Sequence, residues 1–515
     1  STSAAVISGN YTASSNLDAC TLTVNNSAVV NIPSGFDVTL SGALTVSSGS
    51  FTLQNNANLL QTSSAANSGN IIVRRNSSAI KRQDYTLWSS PVAGQNLLSF
   101  SPLTVVTPTS RFYQYNSSTN VYNSITNPGA STFNDAQGYL IRVANNHPTV
   151  ATIWNGQFTG VPHNGNYTYN MFNGGAGLRF NLVGNPYPSP ISAVSFAAAN
   201  SANITQTLYF WRETNNNTSN NAYCSWSPAG GGNGTFVTNG EAQVMNPNGV
   251  IQTGQGFFVE AINSATNVNF TNSMRLANHA NQFFRHSIAA APADVESHRI
   301  WLNVTNAAGA FCQTAFGYMT DATNGYDLGV DGRYINDGDT ELYSIVDSER
   351  YVIQGRALPF TPIDTVPMGF KATTAGDYTI AVDHLDGLFA DGQAVYVKDN
   401  LNGVTHDLST AYTFTSDAGT FNSRFEIVYQ PALGVITPSF DNQVTIIKQN
   451  GGFAIQSGNA TMDNVKVFDI SGRLLLEKKA IDSNATTFTV GETNQVLVVK
   501  ITSDDNRIVV RKVIN

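Results

Sequence analysis

Over its first eighty residues the chain is written in short apolar tetrads separated by polar turns. Residues 21–24, 29–32, 37–40, 43–46, 50–53 and 70–73 each alternate apolar and polar positions with the period of a strand. Their starts lie 6 to 8 residues apart until the last, and the spacers Asn-Asn-Ser, Pro-Ser-Gly and Ser-Ser-Gly are turn formers. Strands this short cannot bury a face alone. The pattern over residues 1–81 therefore predicts a β-solenoid or flat β-roll segment in which each rung covers the next. An ordinary sandwich of short strands is the alternative.

Residues 82–282 carry an internal duplication. DYTLWSSPVAGQNLLSF from Asp84, RFYQYN from Arg111 and QGYLIR from Gln137 are followed by a second series in the same order. That series is FNLVGNPYPSPISAVSF from Phe180, LYFWRE from Leu208 and GQGFFVEA from Gly254. The copies run over about 82–150 and 178–262. Pro91 precedes Gly138 by 47 residues, whereas Pro186 precedes Gly256 by 70, so the second copy holds a surface insertion around 214–249. A helix capped by Ser189, with Pro190 at its first position, is predicted before ISAVSFAAAN.

From 283 to 431, eight apolar runs with turn signals between them predict an antiparallel sandwich or jelly roll. After a linker bracketed by Pro431 and Pro438, residues 434–515 hold seven further strand patterns, an immunoglobulin-like sandwich by count. The predicted fold class is thus all-β and multidomain, with units at 1–81, 82–282, 283–431 and 434–515.

Composition narrows the setting. The 515 residues are 41% hydrophobic and 10% aromatic but only 12% charged, with Asn, Ser, Thr and 42 glycines in place of charge. Such surfaces suit extracellular β-proteins rather than charged cytosolic helical ones. A net charge of −8 argues against nucleic acid as a partner. No run of 18 apolar residues is present, so no transmembrane helix is expected. The Ser/Thr/Ala-rich start fits a mature N-terminus left by signal-peptide removal, and equally a shortened chain. Cys20, Cys224 and Cys312 have neither metal-ligand nor disulfide-framework spacing.

The last unit differs in charge, with nine basic and eight acidic residues, against a net of −9 upstream. Its segments NVKVFDISGRLLLEKKA from Asn464 and QVLVVKITSDDNRIVVRKVIN from Gln495 contain a strand ending in aromatic-Asp, a Gly-Arg turn, a Val-Lys-Ile strand and a basic closing strand. The residues are Val467, Phe468, Asp469, Gly472 and Arg473, then Lys500, then Arg511 and Lys512. By itself the turn is a hairpin in which Gly472 supplies a positive φ and Asp469 accepts from amides two residues on. In this series and at the extreme C-terminus, the segments resemble the type A C-terminal sorting domain of type IX secretion cargo of Bacteroidetes-type bacteria. The Gly-x-Tyr usual before the Val-Lys-Ile strand is replaced here by Asn494-Gln495-Val496-Leu497. The resemblance implies a domain bound by an outer-membrane shuttle protein of the PorV type after passage through the type IX translocon, then removed by a sortase-like protease. It implies a secreted, cell-surface location, the body being released or anchored to the outer membrane.

For the body, no HExxH, GxSxG or GxxxxGK[ST] motif is present, and no two histidines have helical metal-ligand spacing. A non-enzymatic, adhesin-like or structural protein is expected, with no catalytic residue and no cofactor assigned. A polysaccharide-binding protein or carbohydrate-active enzyme on the same export route is the alternative, open for 82–431. Two binding candidates remain. Asp327, Asp331, Asp337 and Asp339, among glycines, could offer hard oxygen ligands to calcium, or form Asx-turns. Tyr209, Trp211 and Trp226, beside Tyr223 and the insertion, could stack on surface glycans, or be alternate core residues of strands.

Overall fold

The computed structural model describes residues 3–211, 222–230, 234–238, 240, 246–262, 267–279, 296–335, 338–431, 440–449, 451–491 and 495–515. It is all-β, with a few short helical turns, and divides into two compact units, Ser1–Pro431 and Ala432–Asn515.

The first unit begins with a three-sided parallel solenoid. One wall stacks Ala5–Ile7, Leu22–Val24 and Leu44–Val46; a second stacks Tyr11–Thr12, Val29–Ile32 and Ser50–Leu53; a third stacks Leu17–Ala19, Asp37–Leu40 and Asn58–Gln61. Val30 pairs with Phe51 and Val38 with Leu59, a rung of 21 residues in both walls. Three of the tetrad spacings read from the sequence therefore make one turn of the coil. Leu22, Val30, Val38, Leu44, Phe51 and Leu59 fill the lumen and are fully buried. Corner asparagines extend the ladder between rungs: Asn10, Asn16, Asn55 and Asn67 accept the backbone amides of Val29, Asp37, Asn76 and Leu44. These bonds satisfy donors that the corners would otherwise strand. The strand Ile71–Ile80 leaves the coil parallel to Ser50–Leu53 and pairs antiparallel with Thr152–Pro162, so one sheet runs from the solenoid into the duplicated region.

The two copies share a topology. In the first, Tyr85–Trp88, Tyr139–Arg142, Phe112–Asn116 and Val121–Ser124 lie side by side in that order. In the second the equivalents are Phe180–Gly184, Gly256–Ala261, Ile204–Trp211 and Tyr223–Ser227, with Thr235–Val237 added at the edge. A short helix follows the first strand in each, Leu97–Phe100 capped by Asn96 and Ala193–Ala199 capped by Ser192. The cap expected at Ser189 is thus displaced. Ile191–Ser192 pairs with Val250–Ile251, which keeps the chain extended three residues longer, and Ser189 is buried accepting from Arg275.

The copies meet about a pseudo-twofold axis. Trp88 bridges to Gln255 and Gln137 to Val183; the amide of Ser89 donates to Gly254 and that of Gly184 to Ala136. Each contact is the counterpart of the other under the alignment of the repeats. Ser89 and Gly184 are themselves equivalent positions facing each other. A Cβ on Gly184 would lie 2.2 Å from that of Ser89, so the axis has room for one side chain only.

The 214–249 insertion is not solely a surface loop. Its strand Thr235–Val237 docks on the following sandwich, where the Trp301 indole donates to the Phe236 carbonyl and Val237 joins the core. That sandwich is one curled sheet of eleven described strands, antiparallel but for the parallel pair Phe311–Met319 and Glu349–Arg356. One edge strand, Tyr412–Ser416, curls back over the far part of the sheet, with Phe414 against Phe370 of Thr365–Ala372 and Phe425 of Gly419–Val428.

The second unit is a seven-stranded sandwich. Thr445–Gln449, Gly452–Gln456 and Ala485–Phe488 form one sheet; Leu474–Ser483, Met462–Asp469, Val496–Ser503 and Ile508–Ile514 form the other. Val465, Val467, Leu497, Val499 and Ile501 alternate inward to its core.

Candidate functional site

In the C-terminal unit, Val467 belongs to the core, and Phe468, Lys500 and Lys512 lie on the outer face of the four-stranded sheet. Arg511 is half-buried on the side of the edge strand that also carries Val509 and Val513. Asp469 and Gly472 make the turn expected of them. One Asp469 oxygen accepts the amides of Ser471 and Arg473, each at 2.9 Å, and the other takes the Arg473 guanidinium at 2.9 Å. The backbone bond from Arg473 and the guanidinium hold the Asp469 carboxyl below the usual carboxylate range. Gly472 has φ +83°, and a Cβ there would meet nothing. The outer face is unusually apolar: Leu474, Ile508, Val510 and Ile514 are 46%, 55%, 51% and 71% exposed, among Lys466, Lys500 and Lys512.

In the first unit, a cleft of about 710 Å³ opens where the two copies meet the sandwich. Tyr115 and Tyr122 come from the first copy; their repeat equivalents, Trp211 and Tyr223, come from the second. The three tyrosines stand edge to face around Phe258, Trp211 stands edge to face with Tyr122 and Tyr223, and the hydroxyls of those two meet at 3.2 Å across the pseudo-twofold. Burial, with Tyr169 adding, pushes the Tyr115 hydroxyl up to about 12, so it is a neutral donor, given to Asn120.

The polar wall is Glu260 between Arg179 and Arg333, both on its Oε1, at 3.3 and 3.1 Å. Glu260 is 1% exposed, and its Oε2 has no donor among the described residues. Burial raises its pKa above the usual carboxylate range against the pull of the two guanidiniums. Burial also works against the Arg333 charge, but Glu260 and the surrounding tyrosines outweigh it and hold that pKa above its ordinary value. Trp211 Nε1 is likewise buried without an acceptor among the described residues. Arg350, at the rim, is paired to the buried Glu341.

Of the three stacking candidates, only Trp211 reaches this cleft. Tyr209 and Trp226 are fully buried, because the sheet carrying them is covered on both faces: Leu208 and Phe210 pack on the solenoid side, Tyr209 on the other. Neither presents a face to a ligand. Glu260 and Arg333 were missed by the sequence reading. Their signals were a glutamate near the end of the apolar strand GQGFFVEA and an arginine closing GYDLGVDGR.

The acidic loop serves as a joint. Both Asp331 oxygens are occupied by backbone amides, of Gly355 and Asp327, and Asp327 accepts the amide and hydroxyl of Thr323. Burial pushes the Asp331 carboxyl up to about 7. Asp339 is exposed, and Asp337 lies outside the described residues. Carbonyls of this loop receive Thr207, Tyr209 and Ser227 of the second copy, which fixes the loop to that sheet. No group of three or more potential metal ligands occurs among the described residues. Asp327 and Asp331 thus act as Asx-type caps, the alternative reading of this acidic loop. No disulfide forms among the described residues, and Cys224 and Cys312 are buried. No described helix is long and apolar enough to cross a membrane.

No curated protein matches the chain. Among solved structures, the central fibronectin-III array of RIM-binding protein aligns over 68% of this chain and 97% of that one, at 9% identity and a TM-score of 0.13, too low to support any argument. A family model described as a domain of unknown function, DUF8694, matches residues 433–515. Another, described as a domain of unknown function, DUF8693, matches residues 1–429, and by that match over most of its length the chain belongs to the DUF8693 family.

Proposed function

We propose that this chain is a non-enzymatic, secreted cell-surface protein exported by the type IX system, with residues 434–515 as the signal bound by a PorV-type outer-membrane shuttle. The observation that carries this reading is the exposed apolar face of the terminal sandwich, where Leu474, Ile508, Val510 and Ile514 stand among Lys466, Lys500 and Lys512. Leu474 lies on one edge strand and the other three on the opposite edge, with Phe468 and Val498 between them on the same face, and exposed apolar side chains gathered on a sheet mark a surface used for protein contact. The Asp469–Arg473 turn adds rigidity beside that face, since three hydrogen bonds fix its geometry. The sorting-domain resemblance supplies the partner.

The test is localisation in a bacterium that has the type IX machinery. The full chain should reach the cell exterior, and a chain lacking residues 434–515 should accumulate in the periplasm. Val510→Lys with Ile514→Lys should reproduce the retention without unfolding the unit, because both side chains point to solvent. Normal export of the deleted chain would refute the proposal.

A further inference from the structure

We propose that the cleft between the two repeats is a binding site for a neutral glycan, with Trp211, Tyr115, Tyr122 and Tyr223 as its aromatic wall and Glu260 as its hydroxyl acceptor. The inference does not depend on the export reading.

Three observations carry it. The first is shape and lining: about 710 Å³, within the roughly 300–1,000 Å³ usual for small-ligand sites, walled by aromatic rings beside a few convergent polar groups. The second is unmet hydrogen-bonding capacity in two of the lining residues. Glu260 Oε2 can accept and Trp211 Nε1 can donate, and neither has a partner among the described residues. A buried carboxylate oxygen left without a donor is costly, so a ligand supplying one gains from it. A sugar hydroxyl both donates and accepts, and thus answers both groups, while the C–H faces of its ring lie against the aromatic wall.

The third observation is charge pairing, which favours a neutral ligand. Arg179 and Arg333 are paired to Glu260, and Arg350 to Glu341. Of the charged lining residues, that leaves the exposed Glu349 at the rim. Each lining arginine thus has a carboxylate partner, Arg179 and Arg333 sharing one, and the second oxygen of Glu260 repels a carboxylate or phosphate. The repeat symmetry explains why the wall is aromatic on both sides: Tyr115 and Tyr122 are matched by Trp211 and Tyr223. The polar floor breaks that symmetry. The position of Glu260 is held by Arg142 in the first copy, so only one half supplies an acceptor.

The experiment is titration of the full chain with neutral hexasaccharides (cello-, xylo-, manno-, laminari-, malto- and chitohexaose), and with hexagalacturonate, by calorimetry and tryptophan fluorescence. At least one neutral oligosaccharide should bind with a Kd below 1 mM and perturb the fluorescence. Trp211→Ala should weaken that binding at least tenfold. Trp211→Phe, which keeps a ring and removes the N–H, should weaken it by a smaller factor. Glu260→Gln should weaken it as well, the denaturant midpoint of each variant showing that it is folded under the conditions of the titration. Absence of binding by every neutral oligosaccharide at 10 mM, binding of hexagalacturonate alone, or undiminished affinity in folded Trp211→Ala would each overturn the proposal.

Discussion

The pseudo-twofold axis can be tested at its narrowest point. Gly184→Ser places a Cβ 2.2 Å from the Ser89 Cβ and 2.5 Å from its hydroxyl, in a junction where both residues are buried. Carbon atoms rest at about 3.5–4.0 Å, so the two copies would have to part by more than an ångström. Overpacking of this kind costs about 1–3 kcal/mol, and the depth of overlap places this case near 3 kcal/mol. Ser89→Gly alone should be mild. It adds about 0.5–1 kcal/mol of backbone entropy cost, and it removes a buried hydroxyl that has no partner among the described residues, which offsets part of that. The double variant moves the single side chain to the other side of the axis and should recover most of the loss, a coupling of about 2 kcal/mol. The assay is urea unfolding of the full chain by tryptophan fluorescence. All five tryptophans lie before residue 432, so the signal reports the first unit alone. With m near 3 kcal/mol/M, Gly184→Ser should lower the midpoint by about 1 M. A double variant as unstable as Gly184→Ser, or less stable, would refute the shared-space argument.

Other outcomes follow from the same structure. Asp399→Ala should destabilise the first unit by about 3–5 kcal/mol in the same assay, because it strands Arg424, 2% exposed, without its counter-ion in the sandwich. Gly472→Ala should cost the second unit only about 1 kcal/mol: the left-handed backbone penalty of about 1–2 kcal/mol is partly offset by a stiffer unfolded chain, and no clash adds to it. Hydrogen exchange at the Ser471 and Arg473 amides would report it. The Asp469 pKa is depressed in the folded state, so the unfolded chain binds the proton more readily. The turn's contribution should be complete above the unfolded value near 4 and fade as pH falls through the lower folded one, with earlier exchange at those two amides. Asp469→Asn should remove that pH dependence.

Local patterning alone carried much of this fold. The tetrad spacing and its Asn/Ser/Gly turns pointed to short stacked strands, because a strand of three or four residues must bury its face on a neighbour, although a sandwich of short strands fitted the same pattern. The seven strands after residue 434 and the Asp469–Gly472 turn were equally legible, since period-two alternation and a positive-φ glycine act within a few residues. The repeat was visible as well. What no local pattern could show is which face of a repeat strand meets its twin. Tyr209 and Trp211 share one face of a strand, yet the first is sealed by neighbouring sheets and the second lines a cleft. Glu260 and Arg333 are 73 residues apart and come together only because the acidic loop docks on the second repeat. Contact between sheets is set by tertiary packing across long loops, and that packing alone turned a row of aromatic residues into a core on one side and a site on the other.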